Sequence, residues 1–309
     1  MELSVKNTKN RAVIGVLLLV SVFFGILMIF AFYTMNIFSE STALDLGSGK
    51  RNAGIAVIEV TGVIMDSRTI VEKLHKAEGD KKIKAIIMRI NSPGGSVGPT
   101  QEVYEEIRRI DGDSEKGKPV YASFGSIAAS GGYYIGAATR RIYANAGTLT
   151  GSIGVIMQFM DFSKLYEFAK VRPETIKAGK FKDVGSPSRP MRPEERKKLE
   201  GLIRIVHNQF IRDIATTRKD KIKGDLKEYA QGQIFSGEDA YNKGLVDELA
   251  GLWEAGRRIH KELKIEGKFG LNFIKLKKRS NFSKFFEDIE GIVQGLNLKN
   301  ISYPQLMFK

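Results

Sequence analysis

Residues 83–97 read Ile83-Lys84-Ala85-Ile86-Ile87-Met88-Arg89-Ile90-Asn91-Ser92-Pro93-Gly94-Gly95-Ser96-Val97. The apolar, β-branched run predicts a buried strand over 83–90. Proline and paired glycines end it, and the periodic stretch from Val97 to Ile110 predicts a helix. The same alternation continues outward, with a strand over 55–60, a helix over 67–78 and a strand over 119–124. Strands alternating with helices imply parallel strands joined by crossover helices, hence an α/β domain. A longer helix is predicted over 194–218, where Glu194 and Glu195 follow Pro193 in the first turn. Leu199, Leu202, Ile203, Val206, Phe210 and Ile214 form its apolar stripe.

A chain of 309 residues holds one large domain plus an anchor, or two modest domains. With no cysteine there are no disulfides, thiol nucleophiles or thiolate metal sites. The net charge is +14, and residues 257–309 carry 12 Lys/Arg against 5 Asp/Glu. No helix-turn-helix, zinc or aromatic-and-basic pattern accompanies that charge, so no nucleic-acid partner is expected. Anionic lipid or a solvated basic face fits better.

Lipid becomes concrete at the N-terminus. From Ala12 to Ser39 there are 28 residues without a charge, enough to cross a bilayer as a helix. Lys6, Lys9 and Arg11 precede the run, and Glu40 and Asp45 follow it. The positive-inside bias gives a cytoplasmic N-terminus (1–11), a transmembrane anchor (12–38), a linker (39–52) and a domain outside the cell membrane. A cleaved signal peptide is the rival reading; the run is long for one and lacks an Ala-x-Ala exit.

Three glycine-rich stretches carry candidate chemistry. Gly94 and Gly95 lie in a strand-to-helix turn whose backbone N–H groups can face a bound oxyanion; a plain turn is the alternative. Ser130 lies in Ala128-Ala129-Ser130-Gly131-Gly132-Tyr133-Tyr134, as a nucleophile or as an ordinary N-cap. Ser152 lies in Thr150-Gly151-Ser152-Ile153-Gly154, able to orient a base or simply to make a turn. His75, His207 and His260 belong to no triad motif. A lysine can replace histidine as base when burial keeps its amine neutral. Composition leaves Lys177, Lys180 and Lys182 equally eligible.

Taken together, Asn91 to Gly95, Ala128 to Tyr134, Thr150 to Gly154 and Lys182-Asp183 with Ser186-Pro187-Ser188-Arg189 resemble the signal peptide peptidase A family of membrane-bound Ser–Lys proteases. The likeness runs from about Ile55 to Leu249 and ends in Phe235-Ser236-Gly237-Glu238-Asp239-Ala240 and Gly244-Leu245-Val246-Asp247. It implies Ser130 as nucleophile, Lys182 as general base and Ser152 holding the lysine amine. Backbone N–H groups of Gly94 or Gly95, and of Gly131, would form the oxyanion hole. It further implies a ClpP/crotonase-like fold of stacked ββα units, one peptidase domain over 53–265, and a ring-like homo-oligomer. The substrates implied are spent signal peptides, cut after small or apolar residues. The length matches the short form of the family.

Lys182 must be neutral to act, with Phe181 as an apolar wall; an arginine there would stay charged. No cofactor or metal is expected. The alternatives are a related Ser–Lys protease cutting a stomatin-like membrane protein, a crotonase-like acyl-coenzyme A enzyme, and a non-catalytic membrane scaffold. Residues 266–309 form a basic tail. There Phe282, Phe285, Phe286, Ile289, Ile292, Val293 and Leu296 share one helical face, suited to a membrane surface or to docking on protein.

Overall fold

The computed structural model describes residues 18–30, 54–113 and 117–276. The chain divides into two compact units, Met1–Ser48 and Gly49–Lys309. In the first, residues 18–30 form a helix, α1, whose apolar side chains are exposed. The anchor expected over 12–38 extends beyond the described residues on both sides. Among the described residues no helix is long and apolar enough to cross a membrane. The tail face from Phe282 to Leu296 also lies outside the described residues.

The second unit is built on one mixed, mainly parallel sheet. Its strands are β1 (Ile55–Thr61), β2 (Ala85–Ser92), β3 (Val120–Ala129), β4 (Ile142–Ala144), β5 (Leu149–Gly151), β6 (Ile234–Ser236), β7 (Glu248–Leu249) and β8 (Leu271–Phe273). The order is β6-β5-β3-β2-β1-β8, with β4 pairing both β3 and β7. The β5–β6 pair is antiparallel, the others parallel. β8 pairs with Ile55–Val57 of β1, so the sheet takes in residues beyond the expected boundary at 265.

The central strands read as unbroken apolar runs because helices cover both faces. Side chains alternate across the pleat. Ala56, Ile58, Val60, Ile86, Met88 and Ile90 join a core with the helices α2 (Arg68–Gly79) and α3 (Val97–Gly112). Ile55, Val57, Ala85 and Ile87 face the other way, against Ala255 and Ile259 of α9 (Leu252–Glu262). Burying each of these isoleucines fully is worth about 1.5–3 kcal/mol. Helix α3 follows the same logic at helical period, burying Thr100, Val103, Tyr104, Ile107 and Ile110.

β3 runs five residues past the expected end at Phe124. Its first half pairs with β4 (Ala122 opposite Ile142) and its last with β5 (Ile127 opposite Leu149). Between them the register with β2 slips, from Ile90 opposite Phe124 to Ser92 opposite Ala128. This bulge is propped by a side chain: Asn91 Oδ1 accepts the N–H groups of Ser126 and Ile127, each at 3.2 Å. Thr148 and Thr150 donate to the carbonyls of Gly125 and Ala128, both at 2.7 Å. The end of β3 is thereby fixed where α4 (Gly131–Ala137) begins, with every residue of α4 buried.

The remaining helices are α5 (Ser163–Phe168), α6 (Pro193–Arg218), α7 (Leu226–Tyr229) and α8 (Gly237–Asn242). The stripe expected along α6 is buried only at its C-terminal end. Phe210 and Ile214 are core residues, whereas Leu202 and Ile205 are exposed. The N-terminal half of α6, with the segment 156–176 before it, offers little core for such side chains. Phe168 is 87% exposed and Ile176 95% exposed.

Candidate active site

Ser130 sits at the junction of β3 and α4 with φ 53° and ψ −120°. A serine in the positive-φ region is strained by roughly 1–3 kcal/mol, and such strain persists where surroundings over-determine it. Here Ser130 N–H donates to Gly151 O at 2.9 Å and Ser130 O accepts Tyr134 N–H at 2.9 Å. The result is a sharp strand-to-helix turn that presents the hydroxyl at the end of the sheet, comparable in logic to a nucleophile elbow. Ser152 also has positive φ, 50°, and its N–H donates to Gln233 O at 2.6 Å.

The Gly94–Gly95 loop packs directly on this turn. A Cβ on Gly94 would lie 2.8 Å from Gly131 N and 2.9 Å from Ser130 Cβ, and its φ of +108° suits glycine alone. A Cβ on Gly131 would lie 3.3 Å from Gly95 N. The loop is clamped from behind, because Ile64 N–H donates to Gly94 O at 2.9 Å and Ser96 N–H to Ile64 O at 2.8 Å. The sequence left both glycine amides open as oxyanion donors. Gly94 N–H already donates to Ser92 Oγ at 3.1 Å, which leaves Gly95 as the better placed of the two.

Beside Ser130 lies a cavity of about 130 Å³, walled by Val97, Tyr134, Val155, Ile156, Val206 and Phe210. Sequence periodicity marked Val206 and Phe210 as core. Period identifies a face of a helix without saying whether protein or an open cleft lies against it. Tyr134 is braced by Phe210 (ring centroids 4.9 Å apart) and by Tyr104 at 4.6 Å, and its hydroxyl donates to Asp213. Burial, then Asp213, holds the Tyr134 phenol above its usual range, so it stays a neutral wall of the cavity.

Lys182 is placed differently from Ser130. It lies in a turn-rich loop, residues 178–189, between α5 and α6, and its side chain is exposed. Among the described residues no hydrogen bond joins it to Ser130 or to Ser152. Phe181, expected as its apolar wall, instead lies under the ammonium groups of Lys198 (4.6 Å) and Lys180 (5.5 Å). The described residues thus bring together Ser130, the Gly94–Gly95 loop, Gly131 and the apolar cavity, and leave Lys182 exposed rather than buried.

Beneath α4, Arg218 is fully buried and donates to Asp247 Oδ2 and Gly244 O, both at 3.0 Å. Asp247 also accepts Ile142 N–H at 2.7 Å, and Tyr133 OH donates to Leu245 O at 3.0 Å. This polar brace ties the Gly244–Asp247 turn to the underside of the serine-bearing helix. The sequence quoted that turn without showing its partner.

A serine at a strained strand-to-helix turn, packed against a paired-glycine loop on a mainly parallel α/β sheet, fits the framework of a serine peptidase. The family model described as Peptidase family S49 matches residues 113–266, and that described as Clp protease matches residues 55–150. The chain is 44% identical over 196 residues to a candidate protease of Synechocystis sp., covering 63% of this chain and 69% of that protein. It is 33% identical over 247 residues to a candidate signal peptide peptidase SppA of Enterococcus faecium, covering 76% and 70%. It is 36% identical over 199 residues to the chloroplastic serine protease SPPA of Arabidopsis thaliana, covering 64% and 29%. The chain belongs to peptidase family S49, the signal peptide peptidase A family, and is a serine protease.

Proposed function

We propose that the protein is a membrane-anchored endopeptidase that cuts spent signal peptides, with Ser130 as nucleophile and Lys182 as general base. The observation that carries the reading is the contact of Gly94 with Ser130 and Gly131 beside an apolar cavity. In the reaction Ser130 Oγ attacks the scissile carbonyl carbon while the neutral Lys182 amine takes its proton. The oxyanion that forms accepts the N–H groups of Gly95 and Gly131. Collapse passes the proton to the leaving amine and leaves an acyl-Ser130 ester, which water then hydrolyses with the same lysine as base. The apolar cavity favours a small or medium apolar side chain before the cut, as signal peptides offer.

The proposed anchor over 12–38 holds the catalytic unit outside the cell membrane, close to such substrates. Ser130 receives its lysine from a neighbouring copy. Two observations support this. The Lys182 loop is fastened to Glu195, at the start of α6, whereas Val206 and Phe210 of that helix wall the Ser130 cavity. At 1.5 Å per residue those points are about 16–22 Å apart along the axis. The exposed apolar segment 156–176 also offers a surface for a ring-like homo-oligomer.

The testing experiment is digestion of a synthetic signal peptide by the wild type and by Ser130→Ala, with cut sites mapped by mass spectrometry. Cleavage by the wild type and none by the variant is expected; equal cleavage would overturn the assignment.

A further inference from the structure

The most densely paired ionic cluster among the described residues lies at the start of α6, at the foot of the Lys182 loop. Its centre is Glu195, whose side chain is fully buried although the helix around it is largely exposed. Arg189 grips it with two prongs, Nη1 to Oε2 at 2.9 Å and Nη2 to Oε1 at 2.7 Å. Arg192 adds Nη2 to Oε1 at 2.5 Å and its backbone N–H to Oε2 at 2.9 Å. Capping of the helix requires only the last of these.

The two arginines have second partners, and those partners flank Lys182. Arg192 Nη2 also donates to Lys180 O at 3.0 Å, two residues before it. Arg189 donates to the Asp183 carboxylate from Nε at 3.0 Å and to Asp183 O from Nη2 at 3.2 Å, one residue after it. Lys177 also pairs with Asp183, and Lys180 Nζ with Glu194 at 2.5 Å. Within the loop, Lys182 N–H donates to Gly179 O at 3.2 Å and Ser186 N–H to Asp183 O at 3.1 Å. Thus an exposed lysine is carried on a backbone gripped on both sides, and both grips converge on one buried carboxylate. Planar guanidinium forks fix direction as well as distance, which a single ammonium contact does not.

We propose that Glu195, acting through Arg189 and Arg192, is a positioning residue that sets where the Lys182 amine is presented to the nucleophile; this rests on Lys182 being the base. Glu195 touches no reacting atom. Its part is to keep the loop in one conformation, so that the ordering of a flexible base is completed before substrate arrives.

The test compares Lys182→Ala, Glu195→Gln, Arg189→Lys and the double variant Lys182→Ala/Glu195→Gln on a peptide substrate, with thermal unfolding recorded for each. Glu195→Gln keeps the shape but removes the charge that holds both forks. Arg189→Lys keeps the charge but removes the second prong. Each is expected to lower kcat about tenfold to hundredfold, the range for a misplaced catalytic group, with KM within about twofold. On the residual hydrolysis, the double variant is expected to be no slower than Lys182→Ala, because the clasp acts only through that amine. Arg189→Lys decides the matter if Glu195→Gln does not fold. Wild-type kcat in the folded single variants, or a further proportional loss in the double variant, overturns the positioning role. Full activity in Lys182→Ala is a different result, which removes the lysine assignment itself.

Discussion

Gly94 packs so closely on Ser130 that even a methyl group on Gly94 would press on the Ser130 Cβ and on the amide of Gly131. Gly94→Ala therefore acts on two parts of the site at once. It forces a left-handed conformation on alanine and displaces the Gly131 amide, the proposed oxyanion donor. We expect kcat to fall by about 100-fold or more, as when a single oxyanion donor is lost. Thermal unfolding should show a stability cost of about 1–3 kcal/mol. Near-wild-type kinetics would mean that the loop can yield and that its amides are not aimed at the reacting carbonyl.

If the lysine comes from a neighbour, two impaired variants should repair one another. Ser130→Ala and Lys182→Ala are each expected to be folded but to keep only a small residual hydrolysis alone. Rings formed by co-expressing them in equal amounts should regain about a quarter of the wild-type activity per chain, from random pairing across a heterologous interface. No recovery in verified mixed rings would place both groups in one chain. A lysine base also predicts activity rising toward alkaline pH, and Lys182→Arg should be inactive throughout.

The cavity wall supplies a specificity test. Val206→Phe should fill the space beside Ser130 and move the preference before the cut from leucine-sized residues toward alanine. A shift of about 10–200-fold in relative kcat/KM is the range for small changes of apolar volume. A peptide library varied at that one position reads it directly. An unchanged preference would show that the substrate side chain lies elsewhere.

The Arg218–Asp247 brace should be visible in acid. Burial alone would raise the Asp247 carboxyl, but Arg218, with Ile142 N–H and Lys221, holds it below its ordinary value. Its stabilisation is therefore fully present above the unfolded value of about 3.9 and is lost as pH falls through the lower folded value. Asp247→Asn should cost about 3–5 kcal/mol at neutral pH by leaving a buried guanidinium without its counter-charge. The variant should also flatten the acid limb of a stability–pH curve. An acid limb identical to wild type would mean that the brace is not linked to folding.

The parts of the molecule legible in its sequence are those whose cause is local. The runs over 55–60 and 83–90 are strands because both faces of the sheet are covered, and the Pro93-Gly94-Gly95 break marks the turn after β2. The last residues of β3 were not legible. The expected strand stops at Phe124, and it is the Asn91 side chain and Thr148, from distant positions, that hold the bulge at Gly125–Ile127 and carry the strand on toward Ser130. The serine stood out by its glycine neighbours. The grip on Lys182 did not, because Glu195 looked like any acidic residue in a first helical turn. Val206 and Phe210 were seen as apolar, but the cleft they line is a property of the fold.

Helix α6 has one further consequence. It holds a cavity wall near its middle and the anchorage of the lysine loop at its start, joined by a stretch with no proline. In the proposed ring it would act as a ruler that sets the pitch from each reaction centre to the next. Inserting one residue between Glu195 and Val206 would turn the two ends by about 100° relative to one another. Each chain would stay folded while the centres of the proposed ring fell out of alignment together, so catalytic competence would belong to the circumference as a whole.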